Sequence, residues 1–200
     1  MFSLKTTASR EIFCDNLITK FGDYTGEISQ YLYQLFLSNT QSRRSRAGKT
    51  FEEIIYYLYE RLNYSFDSQK RVGKKTSSQY VGGRADSILP GIDQLKKSRD
   101  NETSFNYVVI GTMKTTLRER WQEVVEERDN SHIPVIHLLT IDSNISEEKA
   151  QHIAGHNIVL VVLSNVKERE FLKRIQNVIS FEMYFFTVLP DIFSYWKNNV

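Results

Sequence analysis

Hydrophobic and polar positions along this chain follow two rhythms, and the change from one to the other marks its elements. Residues 1–41 read as one or two helices with aromatic anchors at Phe13, Phe21, Tyr31, Tyr33 and Phe36. Phe51, Ile54, Ile55, Leu58, Tyr59 and Leu62 then recur at the i, i+3, i+4, i+7, i+8, i+11 spacing of an amphipathic helix. Residues 63–83 are polar and basic with weak strand signals, and Tyr80–Leu89 reads as a short strand broken by Gly82-Gly83. Pro90–Ser104 reads as a charged loop. The continuous apolar, β-branched run Tyr107–Ile110 has the composition of a buried strand, as do His132–Ile141 and Asn157–Leu163. Helical spacing is expected from Thr116 onward, over Ser146–Ala154, over Lys167–Val178 and through Phe181–Trp196. Continuous apolar strands alternating with helices predict an α/β fold with a mixed central sheet flanked by helices on both faces. The organisation expected is an N-terminal helical segment, residues 1–41, and one compact domain over residues 42–200.

Composition narrows the class only slightly. The 200 residues are 40% hydrophobic and 25% charged, ordinary for a globular chain of one domain. A net charge of +2 provides no strong global field, so any nucleic-acid surface must come from local clustering such as Ser42–Lys49, SRRSRAGK. The single cysteine, Cys14, excludes an internal disulfide framework, suits a reducing cytoplasm, and reads as a small apolar group. The longest apolar run, Ile158–Leu163, is far too short to span a bilayer, and no signal peptide is evident.

The segment Asn106–Arg128, NYVVIGTMKTTLRERWQEVVEER, carries the most chemistry. Lys114 stands where the apolar strand gives way to a helix start. Thr116-x-x-Glu119 fits a capping box, followed by Leu117, Trp121, Val124 and Val125 at helical spacing. Arg118 and Arg120 would then lie in the first helical turn, where the macrodipole already makes the potential positive. Cations there are unfavourable for the helix alone, which points to an anionic or electron-rich partner such as DNA.

Two strings lead nowhere. Gly48-Lys49-Thr50 resembles the end of a phosphate-binding loop, but Arg43 stands where that loop needs glycine and no strand precedes it. His152 and His156 have a metal-ligand spacing, yet Gly155 and Asn157 end the helix there, and a surface or capping role is the simpler reading.

The carboxylates form a more interesting set. Mg²⁺ takes oxygen ligands, usually one or two carboxylates completed by phosphate oxygens and water. Phosphodiester hydrolysis further needs positive charge beside the metal, commonly a lysine. Pairing of the Asp86 strand with the strand that ends in Lys114 would set those two side chains together. Glu123 and Glu127 lie one turn apart on the following helix and could face back toward them, and Glu52 begins the earlier amphipathic helix. Taken singly, Asp86 could cap a turn, and Glu123, Glu126 and Glu127 could be a solvated helix face.

The pattern Asp86…Thr112-x-Lys114 resembles the PD-(D/E)xK nuclease core, in a variant whose second carboxylate comes from the next helix. The string KTTLRERW from Lys114 to Trp121, with Glu127 beyond it, closely resembles type II restriction endonucleases of the EcoRII catalytic-domain group. Ser45–Glu52, SRAGKTFE, is a second match to the same group. The resemblance runs from about Ser42 to the strand near Asp142. It implies a Mg²⁺-dependent endonuclease that cuts double-stranded DNA at a short palindromic site containing CC-GG, of the CCWGG or CCNGG type. Asp86 and Glu127 would be metal ligands, Lys114 the catalytic lysine, and Glu52 the acidic residue near the site. Arg118, Glu119 and Arg120 would read bases. Such a role is chemically apt, since arginine donates bidentately to guanine and a carboxylate accepts from cytosine N4 in the major groove.

A homodimer on a two-fold site, a cognate DNA methyltransferase as functional partner, and a cytoplasmic location follow from the same resemblance. With only residues 1–41 ahead of the match, the further N-terminal effector-binding domain of the group's namesake is not expected. Two departures from the group stand out: the segment between Asp86 and Lys114 contains an inserted-looking loop, Ile92–Ser104, and Ala85 rather than proline precedes Asp86. The competing readings are a repair or recombination nuclease without site specificity, and an inactive DNA-binding module on the same core. The Arg-Glu-Arg string argues against the first and the coexistence of Asp86, Lys114 and Glu127 against the second.

Overall fold

The computed structural model describes residues 7–71, 74–75, 80–81, 84–98, 104, 106–118, 120–131 and 135–199. The chain divides into two compact units, residues 1–47 and 48–200. Every described residue of the first is helical and belongs to α1 (Thr7–Arg61), whose last residues belong to the second. The basic stretch at residues 42–49 is therefore helical rather than a separate segment. Tyr33 and Phe36, expected as aromatic anchors, are exposed. The side chains of Phe13, Cys14, Phe21 and Tyr31 lie outside the described residues.

The second unit is built on a six-stranded sheet in the order β1-β4-β5-β6-β7-β8. Its strands are β1 (Asp67–Arg71), β4 (Arg84–Leu89), β5 (Val109–Lys114), β6 (Ile136–Thr140), β7 (Ile158–Val162) and β8 (Val178–Ser180). A separate two-stranded ribbon pairs β2 (Lys74–Lys75) with β3 (Tyr80–Val81). β4 runs antiparallel to both its neighbours, β1 and β5, and β5 to β8 run parallel. The sheet is therefore mixed, as expected. Parallel strands are covered on both faces, which accounts for the unbroken apolar runs: Val109 to Met113 and all of β6 are buried.

The C-terminal half of α1 packs on this body through Phe51, Ile55 and Tyr59, spaced four apart. The buried stripe is narrower than the helical pattern suggested, and Ile54 is exposed. The helix stops cleanly. Asn63 adopts a left-handed φ of 58°, its N–H donates to Glu60 O at 3.1 Å, and Tyr64 N donates to Tyr59 O at 2.9 Å. This is the Schellman arrangement, with asparagine in place of the commoner glycine. Tyr59 and Tyr184 share a buried hydroxyl contact of 2.8 Å.

Four local expectations fail. The charged loop over Pro90–Ser104 contains a helix, α2 (Ile92–Ser98), which buries Leu95 and is fastened where Ile92 N donates to Asp67 Oδ2 at 2.9 Å. The helix expected from Thr116 begins later, as α3 (Arg120–Ser131). Leu117 is buried from a turn before it, not from the helix. The helix expected over Lys167–Val178 is two short ones, α5 (Ser164–Lys167) and α6 (Glu170–Lys173), followed by β8. Lys167 Nζ donates to Leu172 O at 2.8 Å and Ile175 O at 3.2 Å, stitching that turn. The C-terminal aromatic helix is interrupted by a π-helical stretch, Tyr184–Val188, between α7 (Phe181–Met183) and α8 (Leu189–Asn198). By contrast α4 (Glu147–Gly155) matches its expected span, with Ser146 Oγ accepting from Lys149 N. Among the described residues, no helix is long and apolar enough to cross a membrane.

His137, on β6, is buried against Tyr184, and its Nδ1 has no hydrogen-bond partner among the described residues. Burial pushes its imidazole from 6.5 down to about 4, so the native state holds it neutral. The unfolded chain takes up this proton below pH 6.5 and the folded one only near pH 4. Stability is thus retained above pH 6.5 and falls as the pH drops toward 4, by roughly 3 kcal/mol from this group. Denaturant titrations should show His137→Gln, which takes up no proton, losing less stability across that window than the wild type. Parallel pH profiles would show that His137 is not the source.

Candidate active site

The site grows from a break in one strand pair. β4 and β5 pair antiparallel through Leu89↔Val109, Ile88↔Ile110 and Ser87↔Gly111. At this last pair a Cβ on residue 111 would collide with Ser87 Oγ, so any larger residue there would require that hydroxyl to turn away. The ladder stops there, and the next β5 donor on that edge is taken by a side chain. Met113 N donates to Asp86 Oδ2 at 2.7 Å, and Thr112 Oγ1 donates to the same oxygen at 3.3 Å. A carboxylate replaces a backbone carbonyl in the sheet, which keeps the strand satisfied while holding an anion at the edge of the notch.

Two further elements, α1 and β1, converge on Asp86, and Lys114 closes the set from the end of β5. From α1, Tyr56 Oη donates to the backbone carbonyl of Asp86 at 2.7 Å, pinning the helix to the strand. One turn earlier, Glu52 lies on the same face of the helix. From β1, Gln69 Nε2 donates to Asp86 Oδ1 at 3.3 Å and to Glu52 Oε2 at 3.4 Å, bridging the two carboxylates. Gln69 carries a φ of 52°. A left-handed conformation is costly for a non-glycine residue, roughly 1–3 kcal/mol, and such strain is concentrated at functional sites. From β5, Lys114 ends the strand half-buried.

Electrostatics shows that these groups feel one another. The Glu52 carboxyl is pushed up, first by burial, then by the charge of Asp86, while the Lys114 ammonium opposes the shift. Burial likewise pushes Tyr56 up to about 12, with the Gln69 hydrogen bond acting against it. Two half-buried carboxylates crowd together and one lysine partly compensates. Such a pocket attracts a cation.

Asp86, Glu52 and Lys114, singled out in the sequence, are thus brought together. Arg118 lies outside this cluster, exposed in the turn after β5 with a φ of 29° rather than in a helix. Glu119 lies outside the described residues, as do the side chains of Arg120 and Glu127, whose backbones belong to α3. Glu123 and Glu126 are exposed on that helix. Among the described residues no group of three or more His, Cys, Asp or Glu side chains could hold a metal. His152 and His156 face each other, Nε2 to Nε2 at 3.3 Å, with His152 against Trp121.

Gln69 and Tyr56 are the residues that sequence reasoning missed. Gln69 lies in a polar run with no periodicity, and only its partners reveal it. Tyr56 falls beside the helix positions that pattern the core, and its hydroxyl reaches a strand thirty residues on.

Comparison with known proteins agrees with this geometry. Residues 6–185 match the family described as EcoRII C terminal. The type II restriction enzyme SsoII of Shigella sonnei is 37% identical over 161 residues, which are 80% of this chain and 50% of that protein. The chain therefore spans about half the length of that relative. Solved structures of metal-depleted Ecl18kI with uncleaved DNA, modified and unmodified, are 33% and 34% identical with TM-scores of 0.69 and 0.68. Each likeness covers 90% of this chain and 56% of Ecl18kI. A complex of the restriction endonuclease PspGI with substrate DNA is alike in fold, at 19% identity, TM-score 0.63, 83% of this chain and 67% of that one. The chain belongs to the EcoRII C-terminal family and shares the PD-(D/E)xK fold of its restriction endonucleases.

Proposed function

We propose that this protein is a type II restriction endonuclease, hydrolysing phosphodiester bonds in double-stranded DNA at a short palindromic site containing CC-GG, of the CCWGG or CCNGG type. The observation that carries the reading is the Asp86 carboxylate, fixed by Met113 N and Thr112 on β5 and crowded against Glu52 beside Lys114. Family membership supplies the reaction class. Two copies acting on one palindrome account for a double-strand break, and a cognate DNA methyltransferase would protect the host site; both belong to a cytoplasmic restriction system.

Mg²⁺ fits the donors present. Carboxylate oxygens are its preferred ligands, and the Glu52 carboxyl is raised first by burial and then by the neighbouring charge of Asp86, a charge that a bound cation would offset. Asp86 would hold the ion, joined by Glu127 from α3. When bound, the ion supplies charge neutralisation at the phosphate and acidifies a coordinated water.

The chain's own groups do the rest. Lys114 places an ammonium where a non-bridging phosphate oxygen gains charge. Glu52 stands ready to accept a proton or orient water, at a pH raised by its surroundings. Gln69 bridges both carboxylates and holds them in register. Tyr56 keeps α1, and with it Glu52, seated on β4. Arg118 and Arg120 donate to guanine edges, and Glu119 accepts from cytosine N4.

Plasmid digestion with Mg²⁺ and mapping of the ends tests the activity directly. Lys114→Ala and Asp86→Ala should each lower cleavage at least about 100-fold without unfolding the protein. Tyr56→Phe, which loses one hydrogen bond at the edge of the site, should cost only about 1 kcal/mol of stability and a smaller part of the rate. Near-normal cutting by Asp86→Ala would sink the metal assignment.

The position of Glu127 on α3 provides a second test. Adjacent helical residues point about 100° apart, so Glu127→Gln should lose far more activity than Glu126→Gln. Equal losses would mean that another carboxylate completes the site. For specificity, Arg118→Ala should remove about 1–3 kcal/mol of discrimination between a CC-GG duplex and a scrambled one. An equal loss of affinity for both duplexes would make Arg118 a phosphate clamp instead.

A further inference from the structure

The loop after β6 holds a carboxylate that the cleavage chemistry does not use. β6 runs parallel beside β5 with Lys114 level with Thr140, so the segments leaving the two strands emerge side by side. Asp142 lies in that exit. Its backbone N–H donates to Thr140 Oγ1 at 3.1 Å, and Thr140 is fully buried. Its Oδ1 accepts from Asn144 N at 2.8 Å, an Asx-type turn that fixes the carboxylate's orientation. Its Oδ2 reaches across to the neighbouring exit and accepts from Leu117 N at 2.7 Å. Both oxygens are thus committed to backbone donors, and the group is held from both sides.

Leu117 is gripped twice, its side chain fully buried and its N–H held by Asp142. The next residue, Arg118, leaves this grip with a φ of 29°, exposed, two residues before α3 begins. A non-glycine residue keeps such a backbone only where its surroundings impose it. Nothing in the local sequence does so, since Thr115, Thr116 and Leu117 have no preference for a left-handed turn. Among the described residues, the Asp142 carboxylate is the long-range hydrogen-bond acceptor that holds the turn. A carboxylate beside a surface meant for phosphates is electrostatically unfavourable, so its presence there calls for a compensating task.

We infer that Asp142 is a positioning residue for base recognition: through Leu117 N–H it sets the turn that presents Arg118 and the residues after it to the DNA. The inference rests on the base-reading role proposed for Arg118. It ties specificity to the sheet itself, because the clamp joins the exits of two hydrogen-bonded strands.

The test measures affinity of the full chain, in the absence of divalent cation, for a CCNGG duplex and a scrambled one. Asp142→Ala should lower the ratio of the two affinities about tenfold or more while leaving scrambled-duplex affinity nearly unchanged. Asp142→Asn, which keeps one acceptor oxygen, should fall between wild type and Asp142→Ala. The double variant Asp142→Ala, Arg118→Ala should discriminate no worse than the poorer single one, because both act through one turn. Should Asp142→Ala fail to fold, Asp142→Asn with and without Arg118→Ala carries the same comparison. Additive losses, or an equal loss on both duplexes, would overturn the inference. If Arg118→Ala reduces discrimination and the Asp142 variants do not, the positioning role alone is wrong. If Arg118→Ala has no effect on discrimination, the base-reading role falls and the inference with it.

Discussion

The hydrogen bond from Met113 N to the Asp86 carboxylate is the constraint on which the site depends. A strand pair cannot simply stop inside a sheet, because its next donors and acceptors would be left dry. Here the close approach at Ser87 and Gly111 is the last regular pair, and beyond it a side-chain oxygen stands in for the missing carbonyl. One substitution of oxygen for oxygen therefore does two jobs. It satisfies β5 and fixes an anion at the mouth of the notch. Tyr56 and Gln69 then act on a group whose position is already set, which is why modest contacts of 3.3 and 3.4 Å suffice to hold Glu52 beside it.

Like charges brought together in a half-buried place are unfavourable, and the protein tolerates this cost rather than removing it. Lys114 offsets it in part, and the Gln69 amide, neutral and bidentate in effect, offsets it further. An apolar residue in place of Glu52 or Asp86 would relieve the repulsion at no loss to the hydrophobic core, which lies among β5, β6, β7 and the helices around them. A repulsion kept at some cost to stability fits the cation and phosphate proposed for this site.

How much of this was legible in the amino-acid sequence depended on whether the determining contacts were local. β5, β6 and β7 were plain because burial on both faces leaves continuous apolar runs, and α4 was plain because Ser146 caps its own helix. Asp86, Lys114 and Glu52 could be named from family strings and from the pairing of adjacent strands. The misses arose wherever a distant residue decided the outcome. α2 depends on a cap from Asp67, twenty-five residues earlier, and β8 on pairing with β7. The capping box at Thr116 was outcompeted by burial of Leu117 and the grip of Asp142, which delayed the helix to Arg120. Gln69 had no local signal at all, since its significance is entirely in what it touches.

The buried hydroxyl contact between Tyr59 and Tyr184 joins residues 125 positions apart, and Tyr64 bonds Phe185 O across a similar span. The end of α1 is thus secured by a segment far downstream in the sequence. Contacts of such high sequence separation are made late in folding. Until residues 184 and 185 are in place, the helix that carries Glu52 is held to β4 through Tyr56 but lacks these two contacts at its end. The helix that carries Glu52 therefore gains its last supports only once the strands and helices that follow it are in place.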